Sequence, residues 1–166
     1  MSLISGSVLR LSACLLLGGC YSFAGGGLPP AVRTVAVIPF ENLTADPVLA
    51  QEINDAVREA LERRLGLRQA GEGSADAVVE GSITRFAADV PIAVTANDAN
   101  QVTVDRRLVQ ITLNVRITNR QTGDIIWEQQ GMRLEGDYQG NDEAAGRRKA
   151  LERLTVNIVD GAQSQW

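Results

Sequence analysis

The segment LVQITLNVRIT, Leu108 to Thr118, decides the fold. Val109, Ile111, Leu113, Val115 and Ile117 alternate with Gln110, Thr112, Asn114, Arg116 and Thr118. Strand side chains project to opposite faces with a period of two, so this segment is a strand with one buried and one wet face. Something must cover the apolar row, and nothing apolar belongs against the other.

Upstream, Val102 and Val104 fall on the opposite parity, which predicts a bulge near Asp105-Arg106-Arg107 within one strand from Val102 to Thr118. Downstream, NRQTGD (Asn119 to Asp124) is a hairpin turn with Gly123 at the positive-φ position. It leads into a fourth strand, IIWEQQGMRL, Ile125 to Leu134. Ahead of them stand two further apolar runs: VRTVAVIPF from Val32 to Phe40, and AVVEGSITRF from Ala77 to Phe86. The first is nearly all apolar at its centre, as in a strand covered on both faces. Asp89 to Gln101, with Pro91 and Asn97-Asp98, is expected to be a long irregular connection.

Helices supply the cover. Asp46-Pro47 is a helix start, a capping carboxylate followed by Pro at the first helical position. Leu49, Ile53, Ala56, Val57, Ala60 and Leu61 then recur on one side, and Gly66 ends the helix. Asn141 or Asp142 caps a second helix running to Val159, with Leu151, Leu154 and Ile158 on one face and Gly161 as terminator. A helix between the first two strands predicts a parallel crossover. The expected fold is α+β: a two-layer sandwich in the order β-α-β-β-β-α, with two helices on one face of a four-stranded mixed sheet.

Composition narrows the function. The chain has 166 residues, a formal net charge of −4, no histidine and two cysteines. No run of basic residues suggests a nucleic-acid partner. Without histidine the commonest general base and metal ligand is missing, so no catalytic and no metal residues are expected. A carboxylate pair, Glu41 with Glu135 or Asp137, is the remaining enzymatic alternative.

Both cysteines, Cys14 and Cys20, lie near the N-terminus. Leu11 to Leu17 is a short apolar core, too short to span a bilayer. Gly18-Gly19 supplies small residues before Cys20, so residues 1–19 read as a secretory signal. Leu17-Gly18-Gly19-Cys20 resembles the bacterial lipobox. That resemblance implies cleavage before Cys20 and covalent diacylglycerol and N-acyl chains on it, a stable anchor and the only attached group expected. Tyr21 follows in place of the Asp of inner-membrane retention signals, which favours the outer membrane, with the protein on its periplasmic side. Residues 20–31, with Gly25-Gly26-Gly27 and Pro29-Pro30, form the lipidated start and a tether, and 32–166 the folded domain.

Taken together, CYSF after the lipobox, LPPAVRTVAVIPFENLT, ADAVVEGSITRF and QVTVDRRLVQITLNVRITNRQTGDIIW resemble the lipopolysaccharide-assembly lipoprotein family, LptE. The resemblance implies a non-enzymatic accessory protein that plugs a large outer-membrane β-barrel (LptD-like), helps it assemble, and helps lipopolysaccharide reach the outer leaflet. Arg106, Arg107 and Arg116 are the candidate contacts for lipopolysaccharide phosphates, since guanidinium presents paired donors to them; the alternative is solvated charge. A second cluster, Arg147, Arg148, Lys149 and Arg153, lies on the second helix. Another periplasmic lipoprotein of similar fold, a peptidoglycan-synthase activator or a secretion-pore component, is the competing identity.

Overall fold

The computed structural model describes residues 28–96 and 102–164. The signal segment, Cys20, Tyr21 and Phe23 lie outside the described residues. The elements are β1 (Thr34–Val37), β2 (Glu41–Asn42), α1 (Leu49–Glu59) continued by a π-helical turn (Ala60–Arg64), β3 (Arg68–Gln69), β4 (Ala77–Ala96), β5 (Val102–Asn119), β6 (Ile125–Gln139) and α2 (Glu143–Gln163).

The sheet is mixed and runs β3-β1-β4-β5-β6, with β2 also paired to β4. β1, β2 and β3 pair in parallel; β4, β5 and β6 form an antiparallel meander. The α+β class, the mixed sheet and the two helices match the sequence reading, but the sheet has six strands rather than four. The extra two are two-residue strands. Such pieces carry no periodicity; they form because backbone next to a sheet edge needs partners. The Leu43 amide donates to the Ile83 carbonyl and the Ala70 amide to the Val35 carbonyl, which zips both pieces onto the sheet.

The expected irregular connection after Asp89 is also corrected. β4 continues through Pro91 to Ala96 and pairs with β5 to its start, Ala96 opposite Val102. Register shifts absorb the irregularity, one of them between Ala87 and Val90. The predicted bulge is present: Ala93 pairs with Arg106 and Val94 with Val104, leaving Asp105 as the extra residue.

One face of the sheet carries the core. Val109, Ile111, Leu113, Val115 and Ile117 are all buried, as their alternation requires, together with Val79 and Ile83 from β4 and Met132 and Leu134 from β6. Leu49, Ile53 and Val57 of α1, then Ala60 and Leu61, close over them, as do Ala150, Leu154 and Ile158 of α2. The Asp46 carboxylate accepts from the amides of Val48 and Leu49, so it caps α1 from just outside it. Asp142 caps α2 through the Ala145 amide. Gly66 and Gly123 adopt positive φ at the two turns where it was expected.

Gly161 does not terminate α2, which continues to Gln163. It is a packing glycine. A Cβ there would collide with the Trp127 indole, which lies buried against the helix.

One anchor has no counterpart in the sequence reading. The Asp76 carboxylate accepts from the amides of Arg33 and Thr34 and from the Thr34 hydroxyl, at 2.8–3.0 Å. It joins the starts of β1 and β4, and these bonds, the Arg33 amide foremost, hold its pKa below the ordinary value. The sign follows: a depressed folded pKa gives stability present above the unfolded value and lost as pH falls. Asp76→Ala is therefore expected to lower the thermal midpoint at pH 7 and to narrow its gap from the parent below pH 4. Paired melts at the two pH values check this.

Candidate functional site

The face of the sheet opposite the helices is built from the other half of each alternation. β5 contributes Gln110, Thr112, Asn114 and Arg116; β4 contributes Glu80 and Ser82; β6 contributes Glu128, Gln130, Arg133, Glu135 and Asp137. Antiparallel pairing sets these side chains directly opposite one another, close enough to bond across strands.

They do so repeatedly. Arg116 donates through Nε and Nη2 to Glu128, at 3.2 and 2.8 Å, and its Nη1 lies 3.6 Å from Glu80. Asn114 donates to the Ser82 hydroxyl at 3.1 Å, and its carbonyl oxygen accepts from the Gly131 amide at 2.8 Å. Gln110 donates to Glu135 at 2.9 Å, and Gln130 to Glu128 at 3.2 Å. The result is a hydrogen-bonded polar lattice. A cleft of about 380 Å³ sits at its centre, lined by Glu80, Ser82, Asn114, Arg116, Glu128 and Gln130.

The hydrogen bond and charge of Glu128 raise the pKa of Arg116, and the Arg116 bond, helped by Gln130, lowers that of Glu128. At the far end of the face, Arg106 Nη2 is 2.8 Å from Asp137, and Lys149 reaches round the edge of β6 to the same carboxylate at 3.2 Å. Arg106 and Lys149 together hold the Asp137 pKa down to about 2. Its ionic contacts are therefore complete above the usual carboxylate range, near 3.9, and fail only as pH falls through about 2. A carboxyl-carbon NMR titration with an Asp137 midpoint near 4 would contradict this arrangement.

The three candidate arginines are not one cluster. Arg106 and Arg116 share the open face but stand ten positions apart on β5, roughly 33 Å at about 3.3 Å per residue. Arg107 has the opposite parity. Its Nη1 is 3.3 Å from Asp89, and its buried Nε has no hydrogen-bond partner among the described residues. All three are paired with carboxylates. The polar partners of Arg116 carry no motif of their own in sequence; the signal that marks them is the same alternation that buries Val109 to Ile117.

The carboxylate pair of the enzymatic alternative is pulled apart. Glu41 lies on β2, whereas Glu135 and Asp137 lie on β6, with β4 and β5 between them. Three strand spacings, roughly 14 Å, separate their backbones across the sheet, and Glu135 opposite Gln110 is a further four residues, roughly 13 Å, along β5 from Asn114, which lies across from Ser82 and Glu41, so the carboxylates are not brought together as an acid and base pair. Among the described residues, no group of three His, Cys, Asp or Glu side chains is placed to hold a metal. No helix among them is long and apolar enough to cross a membrane.

The second basic cluster separates into distinct roles. Arg147 is embedded, its side chain 16% exposed, between Asp46, Glu52 at 3.0 Å and Glu143 at 3.0 Å, with its guanidinium 4.6 Å from the centre of the Phe86 ring. Burial opposes its charge, and bonds to Asp46, Glu52 and Glu143 more than offset that, so its pKa is raised. Arg148 and Arg153 are exposed on α2, and Lys149 belongs to the β6 edge.

Comparison with known proteins places this geometry. The LptE family model, described as lipopolysaccharide-assembly, matches residues 32–163. No curated protein matches the sequence. Among solved structures, the chain is similar to protein CT253 from Chlamydia trachomatis, with TM-score 0.52, 11% identity, and coverage of 81% of this chain and 99% of that one. It is similar to protein XCC0632 from Xanthomonas campestris, with TM-score 0.52, 15% identity, and coverage of 79% and 86%. A point variant of the PelC dodecamer from Paraburkholderia phytofirmans gives TM-score 0.50 at 14% identity over 83% and 93%. At these identities the likeness is one of fold.

Proposed function

The chain belongs to the LptE lipopolysaccharide-assembly family, and from that premise we propose that it is a non-enzymatic lipoprotein that seats in a large β-barrel of the outer membrane. There it assists barrel assembly and lipopolysaccharide export. Cys20 carries the acyl chains that hold it at the periplasmic side of that membrane, and residues 32–166 do the work.

The observation that carries the reading is the uncovered polar face. A two-layer domain whose second sheet face is covered by none of the described elements fits a wet partner, and barrel lumens are polar and hydrated. The cross-strand lattice keeps Arg106 and Arg116 partnered with carboxylates, so the face can dock against polar walls without stranding their charge. Arg116 and Arg106 are the residues we assign to lipopolysaccharide phosphates, each exchanging a carboxylate for a phosphate oxygen. Arg107 is placed on the other face and would contact a different part of the lipid.

Affinity purification of the full-length protein from detergent-solubilised outer membrane tests the role. A stoichiometric large β-barrel is expected. A peptidoglycan synthase, or a ring of the protein alone, would favour the competing lipoprotein identities. Changing Arg106, Arg107 and Arg116 together to Ala is expected to lower lipopolysaccharide affinity; unchanged affinity would remove the phosphate assignment and leave the barrel role standing.

A further inference from the structure

We infer that Gln165 and Trp166 close the groove between α2 and the outer edge of β6, Gln165 by accepting the indole N–H of Trp127 and Trp166 by roofing the groove beside it. The groove measures about 580 Å³ and runs along the last strand of the sheet. β6 supplies the buried Trp127 and Met132 and the exposed Arg133 to it, and α2 supplies Asp160, Gly161 and Ser164.

The groove holds an unmet donor. Trp127 is 7% exposed, and a Trp buried to this degree ordinarily finds a partner for its N–H. Here that N–H meets no acceptor among the described residues. Arg107 Nε is the only side-chain nitrogen or oxygen among them that is both sealed from solvent and unpartnered, so the Trp127 nitrogen opens into the groove. Gly161 marks where: a Cβ there would overlap Nε1 and Cε2 of the ring, so the nitrogen lies against that turn of α2.

The chain itself carries an acceptor to that spot. Ser164 lines the groove and still has helical dihedrals, φ −79° and ψ −8°. Gln165 and Trp166 follow it and lie outside the described residues. A further half-turn of α2 sets Gln165 four residues after Gly161, on the same side. Helical side chains lean toward the N-terminus and cover the surface over the turn before their own. The Gln165 carboxamide is thereby carried back to Trp127 Nε1. Trp166 stands four residues after Ala162 and extends the buried line of Leu154, Ile158 and Ala162, which turns its indole toward the sheet beside Trp127.

Charge and entropy agree with this occupant. Glu128 and Asp160 offset Arg133 in the groove wall, which suits an uncharged carboxamide and indole. Two residues need ordering, and burial of an indole offsets that loss. A segment held this close also acts at an effective concentration that no free peptide matches. The closure has a use. β6 is a 15-residue edge strand, and its row of backbone groups is a template for pairing with other chains. Lys149 occupies the Asp137 carbonyl toward one end, and Gln165 and Trp166 cover the end that holds Trp127.

The chain has two tryptophans, so the full-length protein in detergent, isotope-labelled at its indole nitrogens, gives two side-chain N–H signals by NMR, which Trp166→Phe assigns. Gln165→Ala is expected to move the Trp127 signal upfield and to speed its exchange with water about tenfold, the loss of one hydrogen bond. Trp166→Ala is expected to increase the broadening of the Trp127 signal by a soluble paramagnetic agent. Gln163→Ala, on the exposed side of the same turn, is the control and should do neither. An unchanged Trp127 signal in either Gln165→Ala or Trp166→Ala would overturn the inference. So would a Trp166 signal in the parent protein that the agent broadens as fully as that of free tryptophan amide.

Discussion

Gly136→Ala is expected to cost more than about 3 kcal/mol of folding stability, the upper end of what overpacking ordinarily does, out of a total of roughly 5–15 kcal/mol. A Cβ at Gly136 would overlap the Gly146 carbonyl oxygen and lie 2.8 Å from the Ala150 amide nitrogen. Both are backbone atoms of α2, so no rotamer change relieves the clash. The helix must lift from β6, uncovering Ala150, Leu154 and Ile158. Gly146→Ala meets the Tyr138 ring at 2.8 Å, the Gly136 carbonyl at 2.9 Å and a Val109 methyl at 2.9 Å. Two of these three are side chains that can yield and the backbone contact is far less tight than at Gly136, so a smaller loss is expected. Gly73→Ala, with nothing within 4 Å, is the neutral control. Urea unfolding of the three variants should rank them in that order; equal midpoints for Gly136→Ala and Gly73→Ala would contradict the close packing of α2 on β6.

The second large effect belongs to Arg147. Its removal leaves Asp46, Glu52 and Glu143 without the cation that gathers them. Breaking a fully buried ion pair costs about 3–5 kcal/mol; this cluster reaches solvent at its rim, so Arg147→Ala is expected to cost roughly 2–3 kcal/mol at pH 7. Acid discriminates the cause. Asp46 has its pKa lowered, by the Arg147 hydrogen bond before all else. The parent thus gains from the pair above the unfolded carboxylate pKa and loses that gain as pH falls through the depressed value. The variant has no such gain to lose and sheds carboxylate repulsion on protonation. The deficit should therefore shrink at pH 3.5. A pH-independent deficit would assign the effect to lost packing on Phe86 instead.

These two sites mark the limit of what the chain discloses on its own. The β5 alternation and the i, i+4 stripe of α1 are local patterns, and each places its side chains where the structure has them. The two-residue strands β2 and β3 have no pattern to read, because they exist only through their neighbours' backbone groups. The continuation of β4 past Pro91 was hidden by residues that ordinarily mark loops; pairing to β5, with register shifts, overrides them. Gly136, Gly146 and Gly161 look like punctuation in sequence, and only the approach of α2 shows them to be contact surfaces. Of the three, Gly146 alone carries a sequence signal, the four-residue spacing it shares with Ala150, Leu154, Ile158 and Ala162, all buried. In Arg147-Arg148-Lys149 three adjacent cations take three unrelated roles, a separation that comes entirely from tertiary contacts.

The open face divides in the same way. Its polarity was legible from Gln110, Thr112, Asn114 and Arg116, but its cross-strand pairing was not. Pairing matters to function, since a face whose charges are mostly matched already can meet a polar wall or trade one partner for another at little cost.

The most direct test is a photo-crosslinking map in cells, with a benzophenone amino acid placed singly at Ser82, Asn114 and Gln130 on the open face, and at Asp55 and Glu152 on the outer helical face. Dominant crosslinks from Ser82, Asn114 and Gln130 to one large outer-membrane β-barrel are predicted. Crosslinks to a barrel from Asp55 and Glu152 with none from the open face, or no barrel adduct from any position, would contradict the account.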